Sequence, residues 1–336
     1  MTPEKIAVLG AGSWGTAMAI MMARSGHHVT LWGHQAAHIK QLRLDNANVR
    51  FLPGTDFPDT LTVSDNLEQT VAEHTFIMLA VPSHAFRETL VKCQSHLQKN
   101  VTVTWITKGF ETDTGLLAHE VVLDTLGNNT NIALISGPSF ALEVADNLPT
   151  AVIVASPDIN VATQVAKTLR TSNFLAFPSN NIASAEIGGS MKNVLAIAAG
   201  ISDGLGYGAN ARAALITLGL NEMVQLGNIY QCSESSFLGL AGVGDLVLTC
   251  TDDKSRNRRL GLQLGQGKTV EQARQAIGQE VEGIHAAREI HTICKKWSLD
   301  MPICIQTYRI LYEGLAPDVA VRYLLSRAQL AAPQVS

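Results

Sequence analysis

The sequence predicts an α/β protein, a doubly wound parallel sheet over residues 1–181 followed by an all-helical region over residues 182–336. Three observations carry this. Apolar, β-rich runs alternate with helical stretches through the first half, and a glycine-rich turn stands between the first strand and the first helix. Beyond about residue 182 the strand-like runs stop, and alanine, leucine and glycine dominate residues 182–205 and 209–226. The 336 residues are 46% hydrophobic and only 16% charged, which supplies a core, argues against disorder and suits two domains.

In order, the predicted strands are KIAVL at 5–9, HHVTLW at 27–32, TFIMLAV at 75–81, VTVTWI at 101–106, NIALISG at 131–137 and TAVIVAS at 150–156. The last three lack clean period-two polarity, as strands covered on both faces do. Residues 16–25 and 85–97 have the length and composition of helices, so the series reads as βαβ units and the sheet as parallel. PSNN supplies turn residues at Asn180 and Asn181, where the boundary between the two regimes is placed. The tail AAPQVS is expected to fray.

Lys plus Arg number 25 against 29 Asp plus Glu, a net charge of -4, so nothing marks nucleic acid as the main partner. The five cysteines, Cys93, Cys232, Cys250, Cys294 and Cys304, form no CxxC pair or regular spacing. They indicate neither a disulfide framework nor a metal site, and the expected compartment is the cytoplasm, with thiols reduced. Residues 6–23 are uncharged and long enough to suggest a membrane span, but Gly10, Gly12 and Gly15 break the run into a strand and a helix. Glu4 sits where a signal peptide carries positive charge, so neither a targeting nor a spanning segment is expected.

GAGSWG at residues 10–15 follows the first strand directly and opens the first helix, the context in which GxGxxG signals a dinucleotide. Gly10 permits the tight turn, Gly12 lets backbone approach a pyrophosphate, and Gly15 lets the helix pack on the sheet with its amides facing the anion. That makes the first domain Rossmann-type. At the end of the second strand, where a free ribose 2′-hydroxyl usually meets Asp or Glu, the chain has Trp32, Gly33 and His34. His34, with Lys40 or Arg43, could accommodate a 2′-phosphate, so NADP is expected to be accepted beside NAD; the alternative is that His34 is a solvated turn residue. Ligands lie across the carboxyl ends of such strands, which points to residues 80–84, 107–111 and 136–143, with Pro138 placed to begin a helix. Lys108 is the cation among them, in a place to meet an anionic substrate or to be an ordinary loop lysine.

Lys192 is the one charged side chain in residues 187–202, among small and aliphatic neighbours. It must either snorkel to water or face a polar cleft, where desolvation would lower it from about 10.4 and suit it to take a hydroxyl proton. Asp245 is the one charge between Glu234 and Asp252, flanked by Gly242 and Gly244. It is either a helix cap or a buried partner for Lys192, with Thr249 one turn further on the same face. SRNRR, residues 255–259, concentrates arginine, hydroxyl and amide groups, either as a grip for a dianionic phosphate or as a solvated basic turn balanced by Asp252 and Asp253.

With GAGSWGTA, LWGH, VPSH, TKGFE, ISGPSFA, GGSMKNVLAIAAGISDGLGYGANARAALI, GLAGVGDLVLTCTDDKSRNRR and EVEG in this order, the chain resembles the bacterial NAD(P)-dependent sn-glycerol-3-phosphate dehydrogenases along nearly its whole length. Beside the motif glycines Gly10, Gly12 and Gly15, the resemblance implies cofactor contacts at Ser13, Trp14, His34, Lys108, Ala141, Arg256 and Glu282. It implies substrate contacts at Lys108, Gly137, Ser139, Lys192, Asp245, Ser255, Arg256 and Asn257, with Lys192 as proton acceptor and catalysis in the cleft between a dinucleotide-binding domain and a helical one. The implied reaction is reversible hydride transfer between glycerol 3-phosphate and NAD(P), giving dihydroxyacetone phosphate and serving phospholipid synthesis. The implied partner is a phosphorylated small molecule, and the apolar helical half makes a homodimer the expected assembly. Two rivals remain at this level: a dehydrogenase of another hydroxy acid or phosphorylated polyol, and a cofactor-binding sensor without chemistry.

Overall fold

The computed structural model describes residues 3–331, so the predicted fraying of the last residues lies outside the described part apart from Ala331. The chain divides into two compact units. One comprises the chain up to Glu111 together with Leu116–Glu186, the other Thr112–Gly115 together with the chain from Ile187 onward.

The first unit is built on an eight-stranded sheet of β1 (Lys5–Leu9), β2 (His28–Trp32), β3 (Leu61–Ser64), β4 (Phe76–Leu79), β5 (Thr102–Trp105), β6 (Asn131–Ser136), β7 (Thr150–Ala155) and β8 (Phe174–Ser179). Their spatial order is β3-β2-β1-β4-β5-β6-β7-β8. The connections carry α1 (Ser13–Arg24), α2 (Ala36–Asp45), α3 (Leu67–Ala72), α4 (Ser83–Gln94), α5 (Ala118–Leu126), α6 (Ala141–Ala145) and α7 (Ile159–Leu169). Chain order reverses between β1 and β4, which creates the switch point where doubly wound sheets take ligands. Ile6, Val8, Met18, Met22, Leu31 and Met78 form the core where α1 packs on the sheet.

Two strands and one direction differ from the sequence reading. β3 is four residues long with a polar residue at every second place, too short and mixed to register as an apolar run. β8, FLAFPS, contains Pro178, which is tolerated because β8 is an edge strand with no neighbour on its far side. The expected parallel sheet holds except at β6 and β7, which pair antiparallel. A parallel return must carry the chain back along the strand, roughly 20 Å for six residues, whereas five-residue α6 rises only about 7.5 Å. The chain turns back on itself instead. Eleven-residue α7 is long enough, and β8 pairs parallel to β7.

The second unit has no strand among its described residues. It contains α8 (Ile182–Gly204, counted here from Ile187), α9 (Ala209–Ile229), α10 (Asp245–Thr251), α11 (Arg256–Gly265), α12 (Val270–Ile277), α13 (Glu282–Trp297), α14 (Pro302–Tyr312) and α15 (Pro317–Ala331). A 3₁₀ turn at Glu234–Leu238 and a π turn at Leu240–Gly244 precede α10. Every residue of α8 from Ser184 to Ser202 is buried, as an all-round apolar helix requires. None of the described helices is long and apolar enough to cross a membrane.

Candidate active site

In the first unit the site begins at the turn after β1. Gly10 has φ +131°, and a Cβ there would lie 2.5 Å from the Ala80 carbonyl oxygen, so a side chain is excluded by both conformation and space. At Gly15 a Cβ would fall 2.0 Å from the Gly10 carbonyl oxygen, which brings α1 close against the turn. Gly12, the N-cap of α1, has open space above it and no side chain capping the helix, and the first turn carries no acidic residue. Unpaired amides at the positive end of a 12-residue helix form an anion cradle that fits a pyrophosphate. Ser13 and Trp14 stand half-buried in that first turn.

Asn48, fully buried, braces this cradle by donating to the Ala11 carbonyl at 3.0 Å and to the Thr16 hydroxyl at 2.8 Å. Nothing in the sequence marks it, because an asparagine in a polar connection carries no signal of its own. His34 is exposed just beyond β2, and Trp32, Gly33 and His34 bring no carboxylate, which fits a cofactor with or without a 2′-phosphate. Arg43 points elsewhere. Its Nη2 donates to the Val63 carbonyl at 3.1 Å and Asp65 at 3.2 Å, at the end of β3.

The strand order β1-β4-β5-β6, all parallel, brings the segments after these strands to one edge of the sheet. Thr107 donates to the Val81 carbonyl at 2.7 Å, tying two of the segments together, and Lys108 follows it half-buried. Gly137 is buried with φ +145°, and the Ser139 hydroxyl donates to its carbonyl at 2.9 Å. Pro138 does not begin the next helix: α6 starts at Ala141 with Phe140 as its N-cap, because the ISGPSF turn runs on through Ser139.

In the second unit Lys192 does not snorkel to water. It is 8% exposed, and its Nζ meets the Oδ1 of Asp245, which is completely buried at the first position of α10. Thr249 lies one turn on, its hydroxyl donating to the Asp245 carbonyl at 2.6 Å and standing 3.4 Å from Oδ1. The π turn aims the aspartate. Its Gly242 lies so near the Phe237 carbonyl oxygen that a Cβ would come within 1.9 Å, so the chain coils there as no larger residue would allow.

Ser255 is the N-cap of α11, accepting from the Arg258 amide at 3.2 Å. The three arginines of SRNRR separate by helix phase. Arg258 turns inward to Asp203 at 2.9 Å, itself bound by Arg212 at 2.7 Å, while Arg256 stays half-buried with Nη1 3.4 Å from Gln279. Asn257 donates to Asn193 Oδ1 at 2.9 Å and accepts the Gly283 amide at 2.9 Å, and Asn193 donates to Glu282 at 3.3 Å. One amide network therefore joins α8, α11 and α13 beside Lys192. In the sequence Asn193 is masked by the stronger signal of the adjacent lysine. No group of three or more metal-ligating side chains occurs among the described residues.

The structure thus gathers Gly10, Gly12, Ser13, Trp14, Gly15, Lys108, Gly137, Ser139 and Ala141 after the carboxyl ends of the central strands of one unit, with His34 after neighbouring β2. In the other it pairs Lys192 with Asp245 and links Asn257 to Glu282 through Asn193, with Ser255 and Arg256 at the start of α11.

Residues 5–162 match the family described as NAD-dependent glycerol-3-phosphate dehydrogenase N-terminus, and residues 181–322 match its C-terminus. The chain is 49% identical to the glycerol-3-phosphate dehydrogenase [NAD(P)+] of Methylococcus capsulatus, across 96% of each chain. To the enzyme of the same name from Vibrio parahaemolyticus it is 46% identical, over 95% of this chain and 93% of the other. The crystal structure of glycerol-3-phosphate dehydrogenase from Coxiella burnetii superposes with a TM-score of 0.93 at 44% identity, covering 96% of this chain and 99% of that one.

Proposed function

We propose that this chain, which belongs to the NAD-dependent glycerol-3-phosphate dehydrogenase family, catalyses reversible hydride transfer between sn-glycerol 3-phosphate and NAD(P), with dihydroxyacetone phosphate as the ketone. The observation that carries the reading is the buried Lys192–Asp245 pair, a cation with a buried carboxylate partner and the one charged side chain between Glu186 and Asp203 on its helix. Residues 1–181 serve as the dinucleotide-binding domain and residues 182–336 as the substrate-binding and catalytic domain. The fit of the glycine turn to a pyrophosphate, and the lack of a carboxylate after β2, support NAD or NADP.

When bound, the nicotinamide supplies or accepts the hydride at the secondary carbon. In the reducing direction the Lys192 ammonium donates its proton to the ketone oxygen as negative charge develops there, and Asp245 holds the ammonium in place. In the oxidising direction the neutral amine takes the same proton back. Lys108 adds a second positive charge for the oxygen. Ser255, Arg256 and Asn257, at the N-terminus of α11, grip the phosphate, where helix dipole and guanidinium both favour a dianion. Gly137 and Ser139 complete the substrate contacts, and Ser13, Trp14, His34, Ala141, Arg256 and Glu282 those to the cofactor. Phosphate binding energy is spent on orienting the carbon that reacts. The cellular role is provision of the glycerol phosphate backbone of phospholipids, by a cytoplasmic homodimer.

The test is oxidation of reduced cofactor at 340 nm with dihydroxyacetone phosphate, run separately with NADH and NADPH and against a panel of keto acids and phosphorylated ketoses. Dihydroxyacetone phosphate is expected to be the best substrate, and Lys192→Ala to lower kcat about 10²- to 10⁴-fold while NADPH still binds. A keto acid outperforming it, or near-normal turnover in Lys192→Ala, overturns the assignment.

A further inference from the structure

We propose that a buried cluster of Trp105, His119 and Glu186 is a clamp that sets the position of Lys192, with Glu186 as its positioning residue. The inference rests on the reading of Lys192 as the proton-transferring group. None of the three is needed for the chemistry derived above, yet Glu186 is a carboxylate with a side chain only 3% exposed. Such a group persists in a protein interior only when its oxygens are satisfied by good donors. Here Oε1 accepts from Trp105 Nε1 at 3.2 Å and from the His119 backbone amide at 2.9 Å, while Oε2 faces His119 Nδ1 at 2.5 Å. Burial acts to lower the His119 imidazole, but the Glu186 carboxylate overrides it and leaves it above its ordinary value.

The three residues come from three elements. Trp105 is the last residue of β5, three before Lys108. His119 is the second residue of α5, so its amide is one of those a helix cannot satisfy internally, and the N-cap residue Leu117 has no polar side chain to do so. Glu186 supplies that cap from α8. It therefore fastens the opening turns of α8 both to the sheet and to the start of α5, within the first unit.

α8 then runs unbroken, and Lys192 stands six residues beyond Glu186, about 9 Å along the axis. A helix buried from Ser184 to Ser202 transmits a shift at one end as a shift of the whole rod. A catalytic group displaced by about 1 Å loses on the order of a hundredfold in rate, so a fastening six residues away is felt in the chemical step rather than in cofactor affinity.

Glu186→Ala, Glu186→Gln and Trp105→Phe would be compared with the parent protein by kcat and KM for dihydroxyacetone phosphate and by the Kd of NADPH. Glu186→Ala is expected to lower kcat tenfold or more and leave the NADPH Kd within about twofold. Gln keeps an acceptor oxygen for Trp105 and the His119 amide, and its NH₂ can donate to a neutral imidazole, so Glu186→Gln is expected to return kcat to within about threefold of the parent. Trp105→Phe, which removes one donor, should lower kcat two- to fivefold. Parental kcat in a folded Glu186→Ala, or a Gln variant no better than Ala, overturns the clamp. If Glu186→Ala does not fold, parental kcat in Trp105→Phe overturns it. Lys192→Ala, assayed alongside, separates the two ideas: retained activity there sinks the base assignment, whereas loss there beside a fully active Glu186→Ala sinks the clamp alone.

Discussion

Lys192, Asp245 and the glycine turn were legible in the sequence for one reason, that each is a polar or special residue isolated in a setting that does not call for it. A lysine among alanines and isoleucines must have a partner or water, and the partner is Asp245. Asn48 and Asn193 stand among other polar residues or beside a stronger signal, and only three dimensions show what their amides hold. The arginines of SRNRR fail differently. Composition marks the cluster, but the phase of α11 alone assigns Arg258 to Asp203 and leaves Arg256 half-buried. His34 gives the prediction proper to this scale. Exposed after β2 with no acidic neighbour in Trp32–Gly33, it leaves room for a 2′-phosphate, and His34→Asp would set a like charge against that group. The variant is expected to raise the KM for NADPH at least tenfold and that for NADH by less than threefold, measured in parallel steady-state assays.

Among the elements, α8 and α11 show how small residues place chemistry. A Cβ at Gly200 would lie 2.1 Å from the Arg258 carbonyl oxygen, and one at Gly261 2.0 Å from that of Ile197, so the two helices touch backbone to backbone. This holds the helix of Lys192 against the helix whose first turn presents Ser255 and Arg256. Gly261→Ala must force them apart, at a cost of about 1–3 kcal/mol as overpacking does. The expected result is a Tm lower by several degrees together with a fall in kcat/KM for dihydroxyacetone phosphate, read by thermal melt and initial rates. The helices themselves were plain from composition. The partner of α8 was not, because a glycine in a sequence does not say which backbone it admits. The strands follow the same pattern: long apolar runs declare themselves, while β3 and β8 exist through their neighbours in the sheet.

At the scale of the whole molecule, the division into a sheet unit and a helical unit is written in the change of composition near residue 182, although the units part inside α8, after Glu186. One buried carboxylate that carries no signal in the sequence couples the fold to pH. Glu222 on α9 is buried and accepts the amides of Ile303 and Cys304, at 2.6 and 3.0 Å, at the start of α14. Burial pushes its carboxyl from 4.5 up to about 7. Between those values the folded chain binds more protons than the unfolded one, so stability contributed by this group is complete below pH ~4.5 and is lost as pH rises to ~7, by about 3 kcal/mol. Above that it is level. Glu222→Gln is expected to flatten this part of the profile in denaturant titrations run from pH 5 to 8.

The reversed strand pair at the far side of the sheet decides at what height the chain departs for the helical unit. Reading across the paired residues, Trp105 lies level with Leu134, Leu134 with Ala155, and Ala155 with Ser179, the last residue of β8. The polypeptide therefore quits the sheet on the same row as the indole that Glu186 meets seven residues later. Sliding β7 by two residues along β6 would carry that exit roughly 7 Å up or down and take Glu186 out of reach of Trp105. The alignment of one flank of the sheet is thus a condition for the contact between Trp105 and Glu186.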